Sequence, residues 1–480
     1  MKSPILGSAY VARSINAADN RMVNLFPEVV PEGGKEPAFL QRAPGLQFQQ
    51  TVGTGPIRGL WAHQTNGEDF YVASGNGFYK LTSLTATPQL LGTISGSGPV
   101  SIADNGTQLF IACNPDSYIY NETAGTFAQI TDPDFPGAVT VSYLDGYFVF
   151  NEPNSQKIWV TALLDGTQID PLEFASAEGS PDGVVSVLTD HRELWVFGTD
   201  TTEVWYNAGN LDFPLARIQG AFNEIGCAAP YSVAKMDNQV YWLGQDARGR
   251  GMVYRAAGYI GQRVSTHAVE WQIQQYSDIE DATGYTYQQD GHSFYVLNFP
   301  SANATWVFDV ATGAWHERAS FALGVFDRHR ANNMCNFEGN IIVGDYENGN
   351  IYTFDLNVYA DNGQPQKWLR SWRALPTGQN NLRRTTQHSL QLDCETGVGL
   401  ATGQGSDPQV MLRWSDDGGH TWSNEHWKSM GAIGKFGKRT IWRRLGMTLK
   451  IRDRVYEVSG TDPVRLYVMG AELLLSGTNA

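Results

Sequence analysis

The chain has 480 residues, of which 42% are hydrophobic and 17% are charged, against a usual charged share of about 25%. This composition excludes wholesale disorder, and the 51 glycines together with the aromatic residues favour β-strands joined by turns. The formal net charge of −15 argues against tight binding of nucleic acid, because that affinity depends on Lys and Arg displacing counterions.

Residues 1–54 differ from the rest of the sequence. They contain four prolines between Pro27 and Pro44 and few alternating apolar residues, and proline restricts φ and cannot donate to a strand ladder. We therefore predict an extended arm that wraps over the next domain or over a neighbouring subunit. The segment has no apolar core of a secretory signal, and no apolar run in the sequence approaches the roughly 20 residues of a membrane helix.

A short apolar and aromatic strand recurs seven times between residues 55 and 374. Its first apolar positions lie 39 to 54 residues apart, at Phe70, Leu109, Phe148, Leu194, Val240, Phe294 and Ile341. Each repeat also has a strand before and a strand after this one, and a weaker fourth strand often follows. Four antiparallel strands in about 40–50 residues make one propeller blade. The repeats predict a β-propeller of about seven degenerate blades over 55–374, with six blades or a sandwich of unrelated hairpins as alternatives.

One segment inside this region predicts a helix. In Ser265–Tyr276, Val269 and Ile273 are spaced i, i+4 among good helix formers. The segment lies in the longest interval between repeats, so we interpret it as an insertion on one blade. A cover for the edge of that blade is the simpler interpretation, and a docking element for a partner is the other.

Residues 375–480 predict a separate β-sandwich. Alternation in Val464–Val468 and Trp442–Leu445 is typical of strands with one wet face, and about 100 residues suffice for a small two-sheet domain. The charge also changes sign near this boundary. Residues 1–366 carry 18 basic and 39 acidic side chains, a balance of −21, whereas residues 367–480 carry 16 and 10, a balance of +6. The predicted fold class is therefore all-β, a propeller followed by a sandwich.

The sequence SDDGGHTW at residues 415–422 matches an Asp-box pattern through Ser415, Asp417, Gly419, Thr421 and Trp422. In such a turn the Asp side chain accepts from turn amides, the glycine takes a positive φ and the tryptophan packs against the turn. We predict a structural turn without a catalytic role. A sialidase-like glycosidase would need several boxes across the blades, three arginines for a carboxylate and a paired nucleophile and acid, and the sequence does not show this set.

A dense group of basic residues follows the Asp box. It comprises Lys435, Lys438, Arg439, Arg443 and Arg444, and it continues with Lys450, Arg452 and Arg454. Two interpretations stay open from the residues alone. The group contacts phosphate or an acidic partner surface, or it forms the wet face of the sandwich. Our hypothesis is that it contacts a protein partner.

No motif in the sequence points to an enzyme, a metal or a cofactor. The sequence contains no GxSxG, HExxH, P-loop or EF-hand pattern. The four cysteines, at 113, 227, 335 and 394, form no CxxC pair, which favours free thiols in a reducing compartment over a disulfide framework or a zinc site. We therefore expect no catalytic residues, no metal ligands and no cofactor.

Seven segments of the sequence form a recognisable set: INAADNRMVNLFPEVV, KEPAFLQRAPGL, GPIRGL, SPDGVVSV, RWSDDGGHTWS, RTIWRRLG and DPVRLYVMGAELLL. With these segments the chain resembles the packaged-DNA stabilisation proteins of short-tailed phages (podoviruses), also described as tail hub or nozzle proteins. The segments span nearly the whole chain, and the strongest are the N-terminal NLFPE, PAFL and PGL pattern and the C-terminal block. The insertion around residues 265–281 is a departure from the family pattern and bears on what docks there.

The resemblance implies a structural virion protein that is not an enzyme. Such subunits form a homo-oligomeric ring, expected to be a hexamer, below the head-to-tail adaptor and other portal-side proteins. The ring extends the DNA channel, retains packaged DNA and offers attachment sites for tail fibres or spikes and for a channel plug. Double-stranded DNA would pass through it without sequence recognition, and the protein would be made in the host cytoplasm. The alternative is a glycan-binding or sialidase-like propeller on a tail or cell surface.

Overall fold

The computed structural model of the chain describes residues 1–15, 17–63, 69–177, 179–211, 213–376, 384–449 and 454–477. Within these residues the chain is almost entirely β, with one α-helix at His267–Gln274 and one 3-10 turn at Pro230–Ser232. The predicted all-β class, a propeller followed by a sandwich, is confirmed.

Seven sheets follow one another along the described chain, and each is an antiparallel meander, which we number blades 1 to 7. Blade 1 consists of Ile57–Ala62, Phe70–Ser74, Gly77–Leu81 and Gln89–Thr93, and blade 2 of Ser101–Asp104, Gln108–Ala112, Ser117–Asn121 and Thr126–Gln129. Blade 3 consists of Val141–Leu144, Tyr147–Asn151, Lys157–Val160 and Phe174–Ser176, and blade 4 of Val184–Asp190, Glu193–Gly198, Thr202–Asn207 and Leu215–Asn223. Blade 5 consists of Gly226–Cys227, Ala234–Met236, Gln239–Asp246, Gly249–Ala257 and Ile260–Arg263. Blade 6 consists of Thr283–Gln289, His292–Phe299, Ala304–Asp309 and Ala314–Glu317, and blade 7 of Ala331–Phe337, Asn340–Asp345, Asn350–Asp355 and Gly45–Thr51.

The seven sheets close into a propeller around one axial cavity. Residues from the innermost part of every blade line this cavity, among them Arg58, Ile102, Val141, Val187 and Asn333. The first strand of blade 7 contacts the first strand of blade 1, which completes the circle. The recurring apolar strands of the sequence form the second strand of each blade; in blade 5 this is Gln239–Asp246, because Gly226–Cys227 and Ala234–Met236 pair with the same side of it and together take the place of the first strand. They are almost uniformly apolar because a neighbouring blade covers each of their faces.

The outer strand of blade 7 comes from the N-terminal segment. Gly45–Thr51 pairs antiparallel with Asn350–Asp355, so that Gly45 lies opposite Asp355. Only a glycine fits at position 45, because a Cβ there would lie 2.3 Å from the Val358 carbonyl oxygen. This pairing joins the last blade to the segment that leads into the first, and backbone hydrogen bonds therefore hold the propeller closed.

The sandwich combines C-terminal and N-terminal strands. One sheet has the order Thr440–Arg443, Thr385–Cys394, Tyr467–Gly477, Ala38–Arg42 and Leu25–Val29, and Lys2–Ser3 also pairs with its third strand. The other has the order Met22–Val23, Trp368–Arg373, Val455–Gly460, Gln409–Ser415 and His426–Ser429. Met22–Val23 also pairs with the last strand of blade 6. One apolar core, which includes Leu392, Leu412, Val458 and Leu473, fills the sandwich and continues into blades 5 and 6.

The N-terminal residues differ from the predicted extended arm. They supply strands to the sandwich and to blade 7, and Pro27 lies in Leu25–Val29, an edge strand, where a missing N–H donor is tolerated. Trp368–Arg373, which falls inside the predicted propeller range 55–374, pairs with Val455–Gly460 of the sandwich. The division into 1–54, 55–374 and 375–480 stays a prediction, and these pairings lead us to propose that the sandwich begins at Trp368. Further short strands are Tyr10–Val11, Asp19–Asn20, Ala360–Asp361 and Gln364–Pro365.

The helix His267–Gln274 lies inside the predicted range Ser265–Tyr276. Val269 and Ile273, the two residues spaced i, i+4, are buried. Ile273 packs on blade 5, where a Cβ on Gly251 would lie 2.9 Å from its Cγ2 atom. The helix therefore covers a strand of blade 5, and a docking role for it stays a prediction.

Candidate functional site

The Asp-box turn follows the strand Gln409–Ser415 of the sandwich. Asp417 accepts from the Ser415 hydroxyl at 2.7 Å, from the Thr421 amide at 2.9 Å and from the Thr421 hydroxyl at 2.6 Å. The Gly419 amide donates to Ser415 Oγ at 2.8 Å, and Gly419 has a φ of +106°. The bonds from the Thr421 hydroxyl and amide, and then that from Ser415, hold the pKa of Asp417 well below its usual range. The turn thus satisfies its own polar groups.

Two arginines anchor this turn to the sandwich. Arg454 is 2% exposed and donates to both carboxylate oxygens of Asp416, each at 2.7 Å, while its third nitrogen donates to the Leu445 carbonyl at 2.7 Å. The Arg413 guanidinium lies over the Trp422 ring, 4.7 Å from its centroid. Arg454, which the sequence grouped with the basic residues, is therefore a buried structural residue.

The other predicted basic residues are exposed. Three of them lie in the loop 430–439, which follows the strand His426–Ser429, and two lie at the end of the strand Thr440–Arg443 and just beyond it; they are Lys435, Lys438, Arg439, Arg443 and Arg444. In the described part of the chain none of the five forms an ion pair, and Arg439 donates to the Gln391 side chain at 3.0 Å. Lys450 and Arg452 lie outside the described residues. The Asp-box turn therefore precedes the strand His426–Ser429, and the loop 430–439, which carries three of the basic residues, follows it.

Large apolar side chains are exposed beside these cations. Phe436 is 72% exposed and Ile433 is 65% exposed in the same loop, and Trp427 is 58% exposed on the strand His426–Ser429. That strand and Thr440–Arg443 each lie at the edge of their sheet. We call this surface, formed by the five basic and three apolar residues, the basic edge. Exposed aromatic and aliphatic residues next to cations are typical of a contact surface.

The axial cavity of the propeller has a volume of about 230 Å³. Arg58 in its wall is 3% exposed and donates to the carbonyl oxygens of Gly98 at 2.6 Å and Gly75 at 2.9 Å. Burial lowers the pKa of Arg58. A duplex whose major groove alone is about 12 Å wide does not fit a cavity of this size. A path for DNA cannot follow the axis of a single propeller.

A hydrogen-bond network between blades 1 and 2 has no signature in the sequence. The His63 ring and the Tyr71 hydroxyl each lie 2.6 Å from the same Glu122 oxygen, and the Trp61 indole N–H donates to Asp104 at 2.9 Å. These residues are far apart in the sequence and come close only because blades 1 and 2 pack side by side in the folded propeller. In the described residues no group of three or more His, Cys, Asp or Glu side chains could hold a metal ion. The network therefore ties two blades together.

The four cysteines are free thiols. Burial raises the pKa of all four, which makes them weak nucleophiles. Across the described ranges, no helix is long and apolar enough to cross a membrane.

Two family models match the chain. One, described as Bacteriophage P22 Gp10, beta-propeller, matches residues 1–359, and the other, described as Bacteriophage P22 Gp10, beta-sandwich, matches residues 367–475. Among solved structures, the N-terminal domain of Nup159 is 11% identical with a TM-score of 0.39, over 68% of this chain and 98% of that one. The Neurospora crassa Pan2 WD40 domain is 9% identical with a TM-score of 0.40, over 62% of this chain and 88% of that one. No curated protein matches the chain.

Proposed function

Because the chain belongs to the Bacteriophage P22 Gp10 family and is a structural component of the tail of a short-tailed phage, we propose that it is a subunit of a hexameric tail hub. The ring would lie below the head-to-tail adaptor, extend the DNA channel and retain packaged DNA. It would also carry attachment sites for fibres or spikes and for a channel plug. The family match over both the propeller and the sandwich is the observation that carries this proposal.

The size of the axial cavity supports a ring of several subunits around the DNA rather than passage of DNA through one propeller. A volume of about 230 Å³ leaves no passage for a duplex through one propeller. If the protein lines a DNA channel, several copies must surround that channel together. This requirement is the physical reason for a closed ring of identical subunits.

The charge distribution supports a channel through which DNA slides. Residues 1–366, which contain the propeller blades, carry a balance of −21. A wall of the same sign as phosphate repels the duplex over about 10 Å at moderate salt and keeps it mobile, whereas a strongly basic wall would bind it. We propose that the channel wall is mostly acidic or neutral.

The basic edge is the surface that we assign to protein contacts. Its cations have no ion pair in the described chain, and its apolar side chains are exposed beside them. An acidic surface of the adaptor or of a neighbouring subunit would neutralise the cations and cover the apolar residues. The Asp box, the feature shared with sialidases, has its polar groups satisfied within the turn, so nothing there favours the glycan-binding alternative.

Electron microscopy of the assembled tails, with native mass measurement of the released hub, tests the proposed function. We expect six copies around an opening wide enough for a duplex. A monomer or trimer whose only opening is the axial cavity of the propeller would contradict the proposal, as would a hub position occupied by another protein.

A further inference from the structure

A small hairpin between blades 6 and 7 projects an apolar tip. Its strands, Ala319–Ala322 and Val325–Arg328, pair only with each other in the described structure. The turn residues Leu323 and Gly324 have φ angles of +51° and +87°. All four residues from 322 to 325 are exposed, and the Leu323 side chain has no cover at all.

The same turn geometry occurs elsewhere in the described chain with a polar first residue. Six other two-residue hairpin turns have both residues at positive φ, and their first residues are Asp145, His191, Asp237, Asp290, Glu338 and Asn362. Such turns favour Asn or Asp at this position, because a branched apolar side chain is strained in the left-handed region. Leu323 therefore has an unfavourable backbone conformation and full exposure to water together. The positive φ and the exposed apolar side chain each lower the stability of the isolated chain. Burial of Leu323 against another molecule would account for the presence of a leucine at this position.

A pocket of about 260 Å³ lies on the sandwich of the same chain. Its apolar lining consists of Pro4, Ile5, Leu6, Pro376, Met469 and Ala471. An apolar cavity of about 150 Å³ is already enough for a benzene-sized group, so this pocket can receive a leucine and part of a valine side chain. Gly470 also lines it, and a Cβ on Gly470 would meet no atom within 4 Å.

The hairpin and the pocket lie at opposite ends of the strand Trp368–Arg373. Lys367, just before this strand, lies over the Phe321 ring of the hairpin, 4.9 Å from the centroid. At the far end, Ser3, which lines the pocket, donates its hydroxyl to the Ala374 carbonyl at 2.6 Å. A six-residue strand spans about 17 Å, so the hairpin and the pocket are two separate surfaces of the chain. This is the arrangement that a head-to-tail contact between identical subunits requires.

The charges beside the two features are complementary. Lys367 forms no ion pair in the described part of the chain, and it stands next to the hairpin. The rim of the pocket contains Glu36, Asp393 and Glu472. Lysines of the same chain pair with the first two, whereas Glu472 is exposed and forms no ion pair in the described residues. Lys2, the partner of Glu36, lines the pocket as well, so Glu472 is the carboxylate of this rim that is left to pair with Lys367 of a neighbouring subunit.

We propose that the tip formed by Leu323, Gly324 and Val325 of one subunit inserts into the pocket at Gly470 of the next subunit. The partner is a second copy of this chain, and the proposal rests on the proposed ring. The contact is heterologous, so repetition around the ring uses one hairpin and one pocket from every subunit.

Cysteine cross-linking in assembled tails tests the contact directly. The double variant Leu323→Cys/Gly470→Cys, after oxidation, should give a ladder of covalent oligomers on a non-reducing gel up to the size of the ring. Each single variant and the control Leu211→Cys/Gly470→Cys, in which Leu211 is 98% exposed elsewhere, should give none. Rings without a ladder would overturn the inference and leave the proposed function standing, whereas the absence of any ring would overturn the proposed function itself.

A substitution with opposite effects on the chain and on the assembly separates contact from folding. Leu323→Asn should raise the Tm of the purified chain, because Asn suits the turn, and weaken ring assembly roughly 10- to 100-fold, the usual effect of losing one buried leucine. Leu211→Asn should leave assembly unchanged. If Leu323→Asn forms rings at the same protein concentration as the wild type, the inference is overturned. A second result would also overturn the inference: no ladder forms, and the protein floats with phosphatidylglycerol vesicles only when Leu323 is present. That result would assign the tip to a lipid surface.

Discussion

The two loops that flank the strand His426–Ser429 use their polar residues in opposite ways. In the Asp-box turn before it, Asp417 and Asp416 bind groups of the same domain, and little bonding capacity is left for a partner. In the loop 430–439 after it, hydrogen bonds such as that from the Gly434 amide to the Gly397 carbonyl fix the backbone, while the cations point into solvent without ion pairs in the described chain. A fixed loop with unpaired cations is suited to binding, whereas a turn that is satisfied internally is suited to folding. The predictions below test this difference.

Charge reversal at the basic edge should have the largest effect, and it should act on assembly alone. In the variant Lys435→Glu/Lys438→Glu/Arg439→Glu, we expect the number of tails on heads to fall strongly, and more so at low salt, because like charges would face an acidic partner. The folded chain should keep its Tm, since all three side chains are exposed. Electron microscopy counts the tails, and density banding measures the packaged DNA.

A matched control and a competing outcome accompany this variant. Reversal of three other exposed cations, Arg192, Arg248 and Arg250, changes the net charge equally and should leave assembly intact. Arg192 and Arg248 pair with Asp145 and Glu224 of the same chain, so the Tm of this control is measured alongside its assembly. Fully tailed particles that have lost their DNA would assign the loop 430–439 to DNA instead of protein.

Removal of the buried guanidinium beside the Asp box should act on folding alone. Arg454→Met leaves the Asp416 carboxylate without its partner, and breaking a buried pair from one side costs about 3 kcal/mol of the free energy of unfolding. Urea unfolding of the purified chain measures the loss. The double variant Arg454→Met/Asp416→Leu, which removes both charges, should recover part of it. Equal stability of Arg454→Met and the wild type would contradict the anchoring role.

Loss of the Asp-box carboxylate should have a smaller effect of the same kind. Asp417→Ala frees the Thr421 amide and hydroxyl on an accessible turn, where water replaces part of the lost bonding, so we expect the Tm to fall by a few degrees. Assembly of tails should be unchanged at temperatures where the variant is folded. A sialidase activity lost in this variant at unchanged Tm would reverse our interpretation of the turn.

The smallest effect concerns pH. The pKa of Asp417 in the folded chain is held below its usual value of about 4, so its contribution to stability is complete above pH 4 and is lost as the pH falls through the lower folded value. The Tm difference between the wild type and Asp417→Asn should therefore be constant from pH 7 to about pH 5 and narrow in stronger acid. A difference that narrows between pH 7 and pH 5 would contradict the depressed pKa.

Local patterns carried most of the sequence prediction. The second strand of each blade is covered on both faces, so an apolar run such as Phe70–Ser74 stands out from sequence alone, and the Asp box lies within eight consecutive residues. The closure of blade 7 by Gly45–Thr51 could not be predicted, because its partner strand is about 300 residues away and no local rule relates the two. Arg454 was misplaced among the exposed basic residues because Asp416 and Leu445, its partners, converge only in the folded sandwich. The apolar hairpin tip was missed because FALGVF is equally compatible with a buried strand.

The pairing of Gly45–Thr51 with Asn350–Asp355 has a consequence for biosynthesis. At roughly 5–20 residues per second, a ribosome needs about 15 to 60 s to make the roughly 300 residues that separate these strands. During that time Gly45–Thr51 lacks its partner Asn350–Asp355, and Ala38–Arg42, which can already pair with Leu25–Val29, waits still longer for Tyr467–Gly477. A translation product that stops before Asn350 lacks the strand that closes the propeller, and one that stops before Tyr467 still lacks a central strand of the sandwich. We therefore expect truncated chains to fail at folding, before they can compete with complete chains for places in the tail.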